Sequence, residues 1–291
     1  MNDTLVVNEI YLSLQGESTF AGLPCVFVRL TACNLRCSYC DTAYAFTEGK
    51  KMTIAGVCAE VHRLAQPFQG KPLSLTPGFS PVTTRTKPAP IVSTASHVGQ
   101  TAEAVEAGGA SVTGLKPGVN GNSLPLIELT GGEPLLQPNS LPMMKQLCDD
   151  GFTVLVETSG ALDISQVDPR VRRIMDLKCP SSGEVERNRW TNIPQLKATD
   201  EIKFVIGTVE DYEWSRQQIA GHELNAICPL LISWVHPLRP EQQDKSLKKV
   251  PAGQTPISRR DLVERIIADA LPVRFQAQLH KIIWPPEKRG V

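Results

Sequence analysis

The chain has 291 residues and carries 30 Lys plus Arg against 30 Asp plus Glu, so no net charge draws it to nucleic acid or an anionic membrane. The first residues, Met1-Asn2-Asp3-Thr4-Leu5, predict no signal peptide, and no apolar run approaches the length of a membrane span. Eight cysteines in such a chain point to a reducing cytoplasm and to metal or redox use rather than a disulfide framework.

Residues 6–12 and 25–30 are β-rich runs, with the polar loop Leu14-Gln15-Gly16-Glu17 between them. The second run leads straight into Cys33-Asn34-Leu35-Arg36-Cys37-Ser38-Tyr39-Cys40-Asp41-Thr42. Thr53 is placed to cap a helix whose Val57, Val61, Leu64 and Ala65 share one face. Residues 67–124, rich in Pro, Gly, Ser, Thr and Ala, have no sustained period and predict a long, largely disordered surface insertion. Further strands are expected at 125–129, 153–156, 173–178, 201–206, 229–234 and 273–276, with helices at 138–150, 209–220 and 262–271. Residues 236–257 form a second polar insertion, and Ser258-Arg259-Arg260-Asp261 resembles a capping box. Strand and helix alternate, which predicts one α/β domain over 1–291, an incomplete (β/α) barrel of about six parallel strands. In such sheets chemistry gathers at the carboxyl ends of the strands, where every notable motif of this chain falls.

Three thiols spaced C-x3-C-x2-C can converge on one inorganic centre. A 4Fe–4S cube held by three cysteines keeps one iron open to a small molecule, whereas a closed zinc site needs a fourth ligand at a matching spacing. With Tyr39 just before the last cysteine, the spacing resembles that of radical S-adenosylmethionine enzymes. Other motifs leave two readings each. Thr130-Gly131-Gly132-Glu133-Pro134 is an ordinary β-to-α turn or a backbone that approaches a ligand closely. Thr42 is a turn former or a ligand for a hard cation such as Mg2+. Arg29 makes a structural salt bridge or holds a substrate carboxylate with its planar fork. Cys25, Cys58, Cys148, Cys179 and Cys228 read mostly as buried free thiols. Of five histidines only His280 stands out, and it reads as structural.

Taken together, Leu14-Gln15-Gly16-Glu17, Arg29, the cysteine loop with Asp41-Thr42, the Gly-Gly-Glu motif, Glu157-Thr158-Ser159-Gly160 and Asp176-Leu177-Lys178 resemble the 7-carboxy-7-deazaguanine synthases of queuosine biosynthesis. The resemblance covers roughly 1–66, 124–235 and 258–284. It implies a radical S-adenosylmethionine fold in which Cys33, Cys37 and Cys40 hold the 4Fe–4S cluster. Ser38, Tyr39, Cys40, Asp41, Gly132, Ser159, Lys178, Cys179 and Pro180 would lie along S-adenosylmethionine. Leu14, Gln15, Gly16, Arg29 and Thr130 would hold 6-carboxy-5,6,7,8-tetrahydropterin, with Thr42 on a Mg2+ bridged to its carboxylate. A 5′-deoxyadenosyl radical would take hydrogen from C6, the ring would contract and ammonia would leave. A flavodoxin-like or other electron donor and a homodimer are further family expectations. Three departures stand against the pattern: the 67–124 insertion, Cys179-Pro180 where Pro-Pro is common, and a tail running past Trp284, which leaves open whether the chain terminus contacts substrate.

Two alternatives share the cysteine loop. A glycyl-radical-enzyme activase acts on a partner protein, and Arg29 with Gln15-Gly16-Glu17 favours a small carboxylated heterocycle instead. A non-catalytic iron–sulfur or zinc module would not bind S-adenosylmethionine.

Overall fold

The computed structural model describes residues 3–68, 125–285 and 288–291. Residues 69–124, nearly all of the expected insertion, lie outside the described residues. Strand β1 (Thr4–Leu14) returns antiparallel as β2 (Pro24–Leu30), and β3 (Lys50–Thr53) pairs with the other edge of β1. No period in the sequence announces β3; its Lys-Lys-Met-Thr is too polar, and backbone pairing with β1 makes it a strand. Thr53 then caps α1 (Ile54–Ala65) by accepting from the Gly56 amide, and Val57, Val61 and Ala65 are buried as their spacing requires.

The chain continues through β4 (Leu126–Gly131), α2 (Ser140–Asp149), β5 (Val154–Thr158), β6 (Arg172–Leu177), β7 (Glu201–Ile206) and α3 (Val209–Gly221). It ends with β8 (Leu230–Trp234), α4 (Arg259–Ala268), β9 (Arg274–Gln276) and α5 (Leu279–Ile283). Strand order is β3-β1-β2-β4-β5-β6-β7-β8-β9, and every pairing from β2 to β9 is parallel. The parallel run is therefore seven strands rather than about six, with an antiparallel pair at one edge, where the short β1–β2 loop forbids a parallel crossover.

Alternation divides each strand between two cores. Val26, Val28, Ile127, Leu129, Val156 and Phe204 join Val61, Met144, Leu147, Tyr212 and Leu262 beneath the helices. Cys25, Leu126, Leu155 and Ile174 form a smaller cluster on the other face, covered by Phe20 and Leu23 of the β1–β2 loop. That loop floors the space in which the site lies.

Regular alternation fails at β5–β6 and β6–β7, whose crossovers contain no α-helix among the described residues. Buried side chains take over the backbone groups that a helix would pair internally. Asn192 Nδ2 donates to the carbonyls of Gly160 and Leu162, and Asn188 bonds both the amide and the carbonyl of Lys178. The polar segment 236–257 is tied down as well: the Lys248 amide donates to the Arg36 carbonyl, and Pro256 bridges Thr208.

Candidate functional site

The cysteine loop begins where β2 meets the end of β4. Ala32 takes the left-handed region, with φ 79°, and its carbonyl accepts from the Glu133 amide at 2.8 Å. A β-carbon on Gly131 or Gly132 would overlap the carbonyl oxygens of Leu30 or Ala32. The two glycines are thus required by the chain's approach to itself at the head of the cysteine loop. Glu133, fully buried, accepts from the amide and hydroxyl of Ser159 at 2.7 and 2.6 Å, from the Thr158 hydroxyl, and from the Leu135 amide. It locks the end of β4 to the end of β5. From the opposite side, Ser182 O receives the Ser38 amide at 3.0 Å, Ser181 O receives the Ser38 hydroxyl at 2.7 Å, and Glu184 receives the Arg36 amide at 2.7 Å.

These elements enclose a cavity of about 250 Å3. Its wall brings together Cys33, Cys37, Tyr39, Cys40, Asp41, Thr42, Gly132, Ser159 and Lys178 with Leu14, Gln15, Gly16, Arg29 and Thr130. Three expected cofactor residues are not on that wall. Ser38 spends its hydroxyl on Ser181, Pro180 opens the 3-10 turn Pro180–Ser182, and Cys179 is fully buried with its thiol 3.4 Å from the Ser215 hydroxyl. They support the wall from behind.

The thiols of Cys33, Cys37 and Cys40 are free, and burial pushes all three up, Cys37 to about 12. Such thiols become thiolates against a metal centre rather than in its absence. Among the described residues no three His, Cys, Asp or Glu side chains converge closely enough to hold one ion. Each iron of a cube takes its own thiolate, so three cysteines hold a cube and leave its fourth iron open. Tyr39 Oη and Asp176 Oδ1 are buried without a hydrogen-bond partner, leaving polar atoms on the same wall for a polar cofactor to meet. The residues present fit a cube with an open iron. Thr42 opens the 3-10 turn Ala43–Phe46 without capping it, and its hydroxyl lies 3.7 Å from Cys40 Sγ.

The other end of the cavity is polar and was only partly legible. Period-two alternation sends Glu128 and Thr130 of β4, Glu157 of β5, Asp176 of β6 and Lys203 of β7 inward. Lys203 Nζ lies 3.0 Å from Glu17 Oε2 and 3.1 Å from Glu157 Oε1, and the Thr130 hydroxyl donates to Glu157 at 2.9 Å. Glu17 also accepts from Gln278 Nε2 at 2.9 Å and from the Ser233 hydroxyl at 3.2 Å. Burial pushes the Glu17 carboxyl up, but Lys203, His280 and Lys281 outweigh it and hold Glu17 at about 2. Asp41 is likewise held at about 2, because Lys281 at 2.5 Å overcomes its burial. Lys178 pairs with Asp176 at 2.7 Å and stays charged despite burial.

His280 lines the cavity, its ring packed on Gly16, and burial lowers it below the usual histidine range. Arg29 donates from Nε to Glu9 at 2.7 Å and from Nη2 to the Tyr11 hydroxyl at 2.8 Å, so the salt-bridge reading holds while its guanidinium still faces the cavity. The tail folds back towards the cavity. Arg289 stacks 3.7 Å over the Tyr44 ring and bonds Glu48, and Val291 lines the cavity. A charge at an inward position of an apolar strand is the signal that finds Glu128, Glu157, Asp176 and Lys203, whereas Lys281 lies on α5, where no such signal marks it.

No family model matches the chain. Among curated proteins it is 36% identical to the 7-carboxy-7-deazaguanine synthase of Koribacter versatilis, over 98% of this chain and 99% of that one. It is 35% identical to the protein of the same name from Chlorobaculum tepidum, over 99% and 97%. Both matches run nearly end to end. Among solved structures, QueE from Escherichia coli superimposes with a TM-score of 0.52 at 19% identity, covering 94% of each chain, which is a likeness of fold.

Proposed function

We infer the activity from one premise: the chain belongs to the 7-carboxy-7-deazaguanine synthase family. It is a radical S-adenosylmethionine lyase that converts 6-carboxy-5,6,7,8-tetrahydropterin to 7-carboxy-7-deazaguanine with loss of ammonia, in 7-deazapurine (queuosine) biosynthesis. The observation that carries the reading is one cavity shared by three cluster-type cysteines and a floor of buried hydrogen-bonding and charged groups. When bound, the cluster and S-adenosylmethionine supply hydrogen-atom abstraction; the protein positions the reactants and keeps water out.

In this proposal Cys33, Cys37 and Cys40 hold the cluster, and Tyr39, Asp41, Gly132, Ser159 and Lys178 lie along S-adenosylmethionine. Ser38, Cys179 and Pro180 shape that wall from behind. Leu14, Gln15, Gly16 and Thr130 receive the heterocycle. Arg29 and a Mg2+ on Thr42 receive its carboxylate; that Thr42 lines the cavity and its hydroxyl caps no turn supports this role. The run of inward strand residues from β2 to β7 around one cavity supports an incomplete barrel. A flavodoxin-like or other electron donor, a homodimer and a cytoplasmic setting are proposed on the family likeness alone. Anaerobic incubation of the reconstituted protein with reductant, S-adenosylmethionine, Mg2+ and the pterin should yield 7-carboxy-7-deazaguanine. Cleavage to 5′-deoxyadenosine without that product would overturn the substrate assignment. Thr42→Ala should weaken the Mg2+ dependence of the rate, and an unchanged dependence would remove Thr42 from the site.

A further inference from the structure

The floor loop is organised around a single side chain. Gln15 pairs its backbone amide with Leu23 O and its carbonyl with Gly22 N, both at 2.8 Å, which closes the loop. Its side-chain Oε1 accepts from the amides of Glu17 at 2.6 Å and Ser18 at 3.1 Å. Those two bonds fix the orientation of the amide group, so Nε2 must act as the donor. Nε2 points to Glu128 Oε2 at 2.5 Å, and both residues are buried.

We propose that Glu128 is a positioning residue for the pterin: as the acceptor for Gln15 Nε2, it sets the edge that Gln15, Gly16 and Glu17 present to the substrate. This rests on the reading that the loop holds the pterin. Glu128 reaches the loop from inside the sheet, at an inward position of β4 between Leu126 and Thr130. Lys203 fixes the same loop through Glu17, so β4 and β7 both hold it through side chains. Burial, and then the Glu157 carboxylate, push Glu128 above the usual carboxylate range. A neutral carboxyl still accepts from Gln15, and a glutamine at 128 would have the same shape and offer the same acceptor.

Two variants separate this role from a structural one. In Glu128→Leu the acceptor is lost and Gln15 Nε2 is left unpaired, while the apolar side chain relieves the burial of an acid and keeps the fold. The pterin KM should rise on the order of tenfold to hundredfold, with kcat within a few-fold and uncoupled cleavage of S-adenosylmethionine retained. Glu128→Gln should keep KM within about threefold of wild type. Far-ultraviolet circular dichroism and the cluster absorbance establish that both variants are folded and loaded. An unchanged KM in Glu128→Leu, or an equal loss in Glu128→Gln, would overturn the proposal. A wild-type protein that cleaves S-adenosylmethionine but makes no 7-carboxy-7-deazaguanine would instead overturn the substrate reading on which it rests.

Discussion

At the cysteine wall of the cavity, three thiols lie within eight residues of one another, and the carbonyls of Ser181 and Ser182, the Glu184 carboxylate and the Gly-Gly-Glu motif hold the loop. At the floor, Gln15 and Glu17 come from the β1–β2 loop, Glu128 from β4, Glu157 from β5 and Lys203 from β7, and each charge is balanced by side chains of other segments. The wall is local and modular. The floor is a coupled network in which removing one member strands its neighbours in a low-dielectric interior.

The largest contrast is expected from one replacement at each end. Cys37→Ala should abolish the cluster absorbance and product formation together. Compared cluster-free, its urea unfolding free energy should fall only about 1 kcal/mol, the cost of a small cavity. Lys203→Met should do the reverse, keeping the cluster while unfolding about 3–5 kcal/mol more easily, because Glu17 and Glu157 lose their buried cation. A loss under about 1 kcal/mol for Lys203→Met would show that the floor is not coupled. Glu133→Gln sits where the two ends meet. Losing acceptors for Ser159 and Thr158 should cost about 1–3 kcal/mol and raise the KM for S-adenosylmethionine about tenfold, while the pterin KM barely moves.

The smallest effect is a pH dependence. Asp41 has its folded pKa below its unfolded one, so its pairing with Lys281 stabilises above the ordinary carboxylate range and is lost as pH falls towards about 2. The stability difference between wild type and Lys281→Met should therefore be full at neutral pH and close as pH drops from about 4 to about 2. A difference that widened with acid would contradict the assignment of that pair.

This contrast also explains what the sequence made legible. The cysteine loop and the caps Thr53 and Ser258 are local patterns and are found where their spacing puts them, although the helix that Ser258 caps runs Arg259–Ala268 rather than 262–271, since it starts directly at its cap. Glu128, Asp176 and Lys203 each look like an isolated charge in an apolar strand until the sheet aligns them; Asp176 and Lys203 are register partners, as are Phe27 and Glu128. The crossovers without helices carry no periodic signal, because buried Asn188 and Asn192 pair the backbone groups that a helix would. Val291 at the cavity and His280 over Gly16 depend on contacts between the two ends of the chain, which local pattern does not carry.

The central claim is that the cysteines supply the radical while the floor selects the substrate. Glu17→Gln tests it most directly, with 5′-deoxyadenosine released from S-adenosylmethionine alone and 7-carboxy-7-deazaguanine formed from the pterin measured on the same preparation. The account predicts that the first stays within about twofold of wild type while kcat/KM for the second falls about a hundredfold or more. A parallel fall of both would contradict it.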